Sequence, residues 1–410
     1  MKTTYKWMII ILALLFALPP FIILSIRGYL TEPEPQKEAL ESSSAREAVQ
    51  QPESSRQAAP EPEPLPEPEP ARATLLAVGD NLIHDVLYNQ AYQRTGGSGY
   101  DFLPVYSAVR ERIMQADIAF VNQETMMAKS QPLSNYPAFN SPAELAGQLG
   151  ELGFDVVNLA NNHMLDVGVS GLEETVSLLD TVSSITRIGA FHDEQESRLR
   201  IVEREGITFA FLGFADYTNV SGTMGAPGMV TYTANREEMA AQLAAAREKA
   251  DVLVVSVHFG EENTTLPTAA QRETAQFFCE QGADIVLGHH PHVIQPVEWL
   301  KSEEGHKTLV FFSLGNFVSA QRGAANLLGI MPQIPVEKSP EGEVTVLDPS
   351  ITPIVTHYGA NYRQLQLCLF RDYSEEQAAS HGVLGFGAAF SRSYLEKLLY
   401  DTIEEKYIDL

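Results

Sequence analysis

Asp80, Glu124, Asn161, Asn162, His163, His258, His289, His290 and His292 are the residues best suited to chemistry in this sequence, because each stands just past a short apolar run. Five of the chain's ten histidines fall among them. Carboxylate, amide oxygen and imidazole make a hard-to-borderline donor set that suits Mn, Fe or Zn, and one carboxylate can bridge two such ions. Two ions about 3.5–4 Å apart activate water and clamp the oxygens of a phosphate or similar oxyanion. Thiolates take no part, since Cys279 and Cys368 sit in the apolar runs Phe277-Phe278-Cys279 and Leu367-Cys368-Leu369 and read as two buried free thiols. Singly, some clusters have a plainer reading: His258 as a half-buried imidazole with its hydrogen bonds met, Gly79-Asp80 as a turn, Asn161-Asn162 as a helix cap. Three histidines within Gly288-His289-His290-Pro291-His292 resist it, because burying several imidazoles without a cation or acceptor is costly.

Strands must position these groups. Thr74 to Val78, Ile118 to Val121, Val156 to Leu159, Val252 to Val257, Ile285 to Leu287 and Leu309 to Phe312 are nearly continuous apolar runs, as expected of strands covered on both faces. Helical periodicity marks Val169 to Leu179, Arg236 to Ala250 and Thr268 to Gln281, the last with Pro267 before it and Gly282 after it. Ile201 to Phe214, broken at Glu205-Gly206, reads as a hairpin. This alternation predicts an α/β domain. The carboxyl ends of strands in such a sheet share one edge, so the polar clusters are expected to converge there. Beyond Gln321, an alternating stretch within Gly359 to Phe370 and an amphipathic helix over Tyr394 to Tyr407 are read as completing the same domain.

The composition, 44% hydrophobic and 20% charged, allows a sizeable core. No cluster of Lys and Arg offsets the net charge of −25, which excludes a sequence-independent grip on nucleic acid. Residues 1–30 differ from the rest: Lys2 and Lys6 precede twenty uncharged residues, Trp7 to Ile26, enough for a helix of roughly 30 Å. We read an uncleaved transmembrane anchor with a cytoplasmic N-terminus, in preference to a cleaved signal, because no small-x-small site follows the run. Residues 31–72 hold nine of the chain's 24 prolines among repeated Glu-Pro pairs and read as a disordered, extended linker holding the domain off the outer face of the membrane. Lys2, Lys6 and Arg27 give the anchor +3, and ten Glu against four Lys and Arg give the linker −6, which leaves −22 on residues 73–410.

The ordered series Gly79-Asp80, Asn122-x-Glu124, Ala160-Asn161-Asn162-His163 with Asp166 and Gly168, His258-x-Gly260-x-Glu262, Gly288-His289-His290-Pro291-His292-Val293 and Ser313-Leu314-Gly315-Asn316-Phe317 resembles the CapA family of poly-γ-glutamate capsule synthesis proteins. The resemblance runs from Thr74 to Val318. It implies kinship with the calcineurin-like metallophosphoesterases, hence a four-layer α/β/β/α sandwich over residues 73–320, completed by 321–410, with a metal site at the strand ends. It also implies a membrane-anchored, extracellular protein. By position, Asp80 resembles the first metal aspartate, Glu124 the bridging carboxylate and Asn162 the metal-binding asparagine. His163, with Asp166 beside it, resembles the catalytic pair that contacts phosphate or donates a proton. His258, and His292 paired with His290 or His289, resemble the remaining ligands of two divalent ions. The phosphoesterase pattern Asp-x-His would place a histidine where Leu82 stands, Glu124 replaces an aspartate, and the last histidine motif has one extra residue. The function implied is a metal-dependent, hydrolase-like domain serving synthesis, export or attachment of an anionic capsule polymer such as poly-γ-glutamate. The alternative is a non-catalytic polymer-binding scaffold that partners a membrane synthase.

Overall fold

The first apolar run forms a strand longer than itself, β1 (Ala71–Asn81), because its neighbours on both sides supply hydrogen bonds past the apolar stretch. The computed structural model describes residues 69–220 and 226–410. The expected anchor over residues 1–30, and the expected linker except for its last residues, lie outside the described residues; Ala71 and Arg72 already belong to β1. Among the described residues no helix is long and apolar enough to cross a membrane.

The other strands follow in chain order as β2 (Ile118–Gln123), β3 (Val156–Asn158), β4 (Thr186–Ile188), β5 (Arg200–Arg204), β6 (Ile207–Ala215), β7 (Val252–His258) and β8 (Ile285–His289). Then come β9 (Val297–Lys301), β10 (Lys307–Phe311), β11 (Asn316–Val318), β12 (Leu328–Lys338), β13 (Val344–Val346), β14 (Ser350–His357) and β15 (Gln366–Leu369). They form two mixed sheets. The first has the order β15-β14-β12-β1-β2-β3-β4, with β11 paired to the end of β1 and β13 to β12. The second has the order β5-β6-β7-β8-β10-β9. Strands β1 to β4 run parallel to one another, as do β6, β7, β8 and β10. Their carboxyl ends are where the polar clusters stand.

Alternation along the second sheet separates its two faces. Phe209, Phe211, Val252, Val254, Ile285, Leu287, Leu309 and Phe311 join the core shared with the first sheet. The intervening Ala210, Leu212, Leu253, Val255, Val286 and Val310 pack in a second core with the helices Arg236–Arg247 and Ala269–Glu280. Helices Glu144–Leu152 and Gly168–Leu179 contribute Leu145, Leu149, Leu172 and Val176 to the core of the first sheet. Helices thus cover the outer face of the second sheet and pack on the first, and strands buried on both faces explain runs without polar alternation.

Several boundaries shift for local reasons. The helix read as Arg236 to Ala250 ends at Arg247, whose guanidinium takes up the carbonyls of Ala250 and Asp251 at 2.6 and 2.5 Å. The helix after Pro267 is capped by Thr268 and Gln271 in a reciprocal capping box. Of the stretch read within Gly359 to Phe370, only Gln366–Leu369 is strand, and the last helix is Arg392–Thr402 followed by a single turn at Glu405–Tyr407. Sequence reading missed β12 altogether. It lies between β1 and β14, yet Pro332 and Pro335 interrupt it, and proline inside a run argues against an interior strand. Both cysteines are free, Cys279 buried and Cys368 only partly so.

Candidate metal centre

Asp80 is the penultimate residue of β1, Glu124 follows β2, His258 closes β7 and His289 closes β8. Asn162 and His163 lie in the loop after β3, His290 and His292 in the loop after β8. In the first sheet Asp80 stands level with Asn122 on one side and Asn316 on the other, and in the second His258 stands level with His289. Close approach of the chain segments requires glycine twice. A Cβ on Gly79 would sit 1.8 Å from the Gly315 carbonyl oxygen, and one on Gly288 would sit 2.2 Å from that of Phe312. His290 and His292 have φ of 99° and 58°, in the left-handed region that side chains other than glycine seldom adopt. Such a backbone persists only where surrounding contacts enforce it, and it is concentrated at functional sites.

Glu124 is the middle of the arrangement. Its Oε1 lies 3.6 Å from His258 Nε2 and 3.6 Å from His292 Nε2. On one side, His292 Nδ1 is 3.0 Å from Asp80 Oδ2 and 3.0 Å from Asn316 Oδ1, so that ring edge is occupied and Nε2 is the atom offered to the centre. On the other side, His258 Nε2 is 3.0 Å from Asn162 Oδ1. Donor atoms of Asp80, Glu124 and His292 lie within 4.8 Å of one another, and so do those of Glu262, His290 and His292. His290 packs 4.8 Å from His258 ring to ring and meets the Tyr217 hydroxyl at 2.9 Å. His289 lies apart from both groups, its Nδ1 3.6 Å from Asp80 Oδ1 and its ring stacked on Phe120 at 5.7 Å. Between the two candidates left open by the sequence, His290 is therefore the one that shares a donor group with His292.

The electrostatics fit a cation. Asp80, Glu124, His258, His289, His290 and His292 are all buried. Burial drives Glu124 well above the ordinary carboxyl range, His258 well below the ordinary imidazole range, and His289 and His290 down to about 4 and about 3. Burial acts in the same sense on His292, but the charge of Glu124 and its contact with Asp80 overcome it and push the ring up to about 10. Asp80 is held below its usual value despite burial by the hydrogen bond and charge of His292. A proton on His292 thus pairs with the ionised Asp80, at 3.0 Å. Neutral imidazole is the form that ligates metals. Both oxygens of Glu124, both ring nitrogens of His289 and Nδ1 of His290 are buried without a hydrogen-bond partner. Orphaned polar atoms are costly in a core, and the oxygens of Glu124 and the ring nitrogen of His290 are ones that a divalent ion would satisfy. Asp80, Glu124, Asn162, His258, His290 and His292 are the residues that would hold it.

His163 and Asp166 form a separate pair at the rim. His163 Nδ1 is 2.6 Å from Asp166 Oδ2, and Asp166 also accepts the Phe139 amide at 2.6 Å. Phe139 meets the imidazole edge-on at 4.8 Å. Asn219 joins the pair to the centre, lying 3.2 Å from His163 Nδ1 while accepting from Asn162 Nδ2 at 3.4 Å. With Nδ1 anchored on a carboxylate, Nε2 is left as the working atom. Leu82 is buried in the wall of the adjoining cleft. The next imidazole along the chain, His84, is committed to backbone, its Nδ1 lying 3.2 Å from both Leu82 O and Ala320 N.

The profile of the bacterial capsule synthesis protein PGA_cap matches residues 74–321, well over half the chain, and spans each of these strand ends. The chain belongs to that family. The PGA biosynthesis protein CapA of Bacillus subtilis (strain 168) is 32% identical over 206 residues, 49% of this chain and 52% of that protein. The capsule biosynthesis protein CapA of Bacillus anthracis is 34% identical over 178 residues, 42% of this chain and 41% of that protein. The chain thus spans about half the length of the curated relatives it matches. Among solved structures, the NAD nucleotidase of Haemophilus influenzae overlaps at 14% identity and a TM-score of 0.43, covering 83% of this chain and 64% of that one, which is too loose to bear on fold or activity.

In this PGA_cap family member, several residues that shape the centre had no role assigned from sequence: Asn122 and Asn316 stood in the motifs without one, and Tyr217 and Asn219 were not named at all. Asn122 Nδ2 donates to Asp80 Oδ1 at 2.8 Å and its Oδ1 accepts from Asn158 Nδ2 at 2.8 Å, a buried amide relay that orients the carboxylate. The Asn316 amide oxygen and the Tyr217 hydroxyl likewise orient His292 and His290. The available signal was asparagine at strand ends, as in Asn122-Gln123-Glu124, and it cannot be separated from ordinary turn chemistry before the strands are placed.

Proposed function

We propose that this chain is a membrane-anchored, metal-dependent, hydrolase-like protein acting on an anionic capsule polymer, poly-γ-glutamate, during its synthesis, export or attachment, with a domain of the metallo-dependent phosphatase type. The observation that carries the reading is Glu124, a buried carboxylate with both oxygens unpartnered and equally distant from His258 and His292. Membership in the PGA_cap family and the capsule-related names of the Bacillus relatives support the polymer. A divalent pair, when bound, supplies Lewis acidity and lowers the pKa of a water. Asp80 and His292 hold one side of Glu124, and Asn162 and His258 the other. His163, anchored by Asp166, supplies or accepts a proton at Nε2 beside the reacting group.

Charge decides how such a polymer can be held. A domain of net charge −22 repels a polyanion at low salt, so attraction has to be local. Binding of poly-γ-glutamate to the full-length protein is expected to strengthen when manganese is added and when moderate salt screens the repulsion. Tight binding by metal-stripped protein at low salt would contradict this. Placement outside the cell is tested separately: protease added to intact cells should release the folded domain by cutting within residues 31–70. Release only after the membrane is opened would reverse the orientation.

Leu82 favours a second reading. Where the phosphoesterase pattern has a histidine, this chain has an aliphatic side chain in the cleft wall. A protein with one weakened metal position can bind polymer and serve as a scaffold for a membrane synthase without turning substrate over.

A further inference from the structure

A cleft of about 650 Å³ opens on the candidate centre, with His163, Glu262 and His292 in its wall, and Arg322 lines the same cleft. Past Val86, which borders both, a second groove of about 690 Å³ is lined by Arg363. Neither arginine has a carboxylate partner among the described residues. Arg187, Arg200, Arg204, Arg247 and Arg272 each pair with one, whereas Arg94 and Arg198 spend their guanidinium groups on backbone carbonyls and Arg236 on the Thr274 hydroxyl.

Arg322 is exposed but held. Its Nε donates to the Tyr362 hydroxyl at 2.8 Å, and the guanidinium lies 4.3 Å above the Phe386 ring. Those contacts fix the plane and leave both terminal nitrogens open, the fork that meets a carboxylate with two parallel hydrogen bonds. The wall between the two arginines is strained: Asn361, Tyr362 and Gln364 have φ of 55°, 58° and 55°. Gln90 pins that segment, donating to Tyr362 O at 2.7 Å and accepting from Leu365 N at 3.1 Å. Strain held in place by dedicated hydrogen bonds is characteristic of a working surface. Carboxamides make up most of the groove, Asn89 and Gln93 among them, while in the cleft Asn135 and Gln321 stand beside two carboxylates, Asp85 and Glu262, with Arg322 its one guanidinium among the described residues. A carboxamide offers a donor and an acceptor to a secondary amide.

We infer that cleft and groove form one channel for an extended, amide-linked polycarboxylate, with Arg322 gripping the carboxylate nearest the metal centre and Arg363 one further along. This rests on the polymer reading given above and adds where and how the chain is held. The test uses full-length protein with manganese and two fluorescent probes, a γ-linked glutamyl dipeptide and a long γ-linked oligomer, titrated by anisotropy. Arg322→Gln is expected to weaken both probes and Arg363→Gln the oligomer alone, each by about three- to tenfold, as for one charge-assisted pair in partial solvent. Arg322→Lys should recover part of the loss, and unfolding temperatures should match the wild type because both side chains are exposed. Unchanged oligomer affinity in both glutamine variants overturns the channel while the polymer reading stands. Wild-type protein that binds neither probe removes the polymer reading, and the channel with it. Polyphosphate bound with the same affinity and the same arginine dependence would mean that charge alone is recognised, which overturns the amide-linked assignment.

Discussion

Glu124→Ala protein is expected to lose bound metal and activity together. No other carboxylate stands in Asn122-Gln123-Glu124-Thr125, and Glu124 alone faces both His258 and His292, at 3.6 Å from each. On the proposed two-ion reading, removing it would leave two half-sites without a shared ligand. The readout that does not depend on turnover is thermal. With free manganese about 100-fold above its Kd, the native protein should gain about 2.7 kcal/mol of stability, and the variant should gain none. Metal content by elemental analysis gives the same answer directly. Glu124→Gln, which keeps the shape of the buried side chain, guards against a variant that merely fails to fold. Full metal occupancy and an undiminished thermal shift in Glu124→Gln would remove Glu124 from the centre.

His163→Ala is expected to act differently: turnover falls by about two to four orders of magnitude while metal content is unchanged. Its imidazole is tied to Asp166 at 2.6 Å and reaches the centre only through Asn219 and the neighbouring Asn162. Asp166→Asn should give a smaller loss, because the amide still anchors Nδ1 but no longer supports the charge of a protonated ring. The scaffold reading makes the opposite forecast. A strain carrying His163→Ala with normal metal content and normal polymer would favour it over the hydrolase.

The separation between these two predictions depends on information that the sequence carried unevenly. Strand ends were legible because β1, β2, β7 and β8 are buried on both faces, so each reads as an apolar run that stops where polar residues begin. Asp80, Glu124, Asn162 and His258 could be placed at strand carboxyl ends for that reason, although those ends belong to two sheets and not to the single edge expected. The loop Gly288 to His292 could not be resolved into roles, since three histidines within four positions look alike until backbone direction is known. Its left-handed turns at His290 and His292 send the three rings to three environments: His289 to Phe120, His290 to Tyr217, His292 to Asp80.

What the sequence by itself determined, then, was the α/β class, the strand ends where chemistry gathers and most of the donor set, because those follow from local periodicity and from residue type. Only the tertiary structure decided that β12 runs beside β1 despite Pro332 and Pro335, that Asn122 and Asn316 flank Asp80, and that Arg322 and Arg363 line the cleft and the groove that share Val86. These are relations between segments distant in sequence. Their physical basis is packing and pairing across two sheets, which no local pattern of residues encodes.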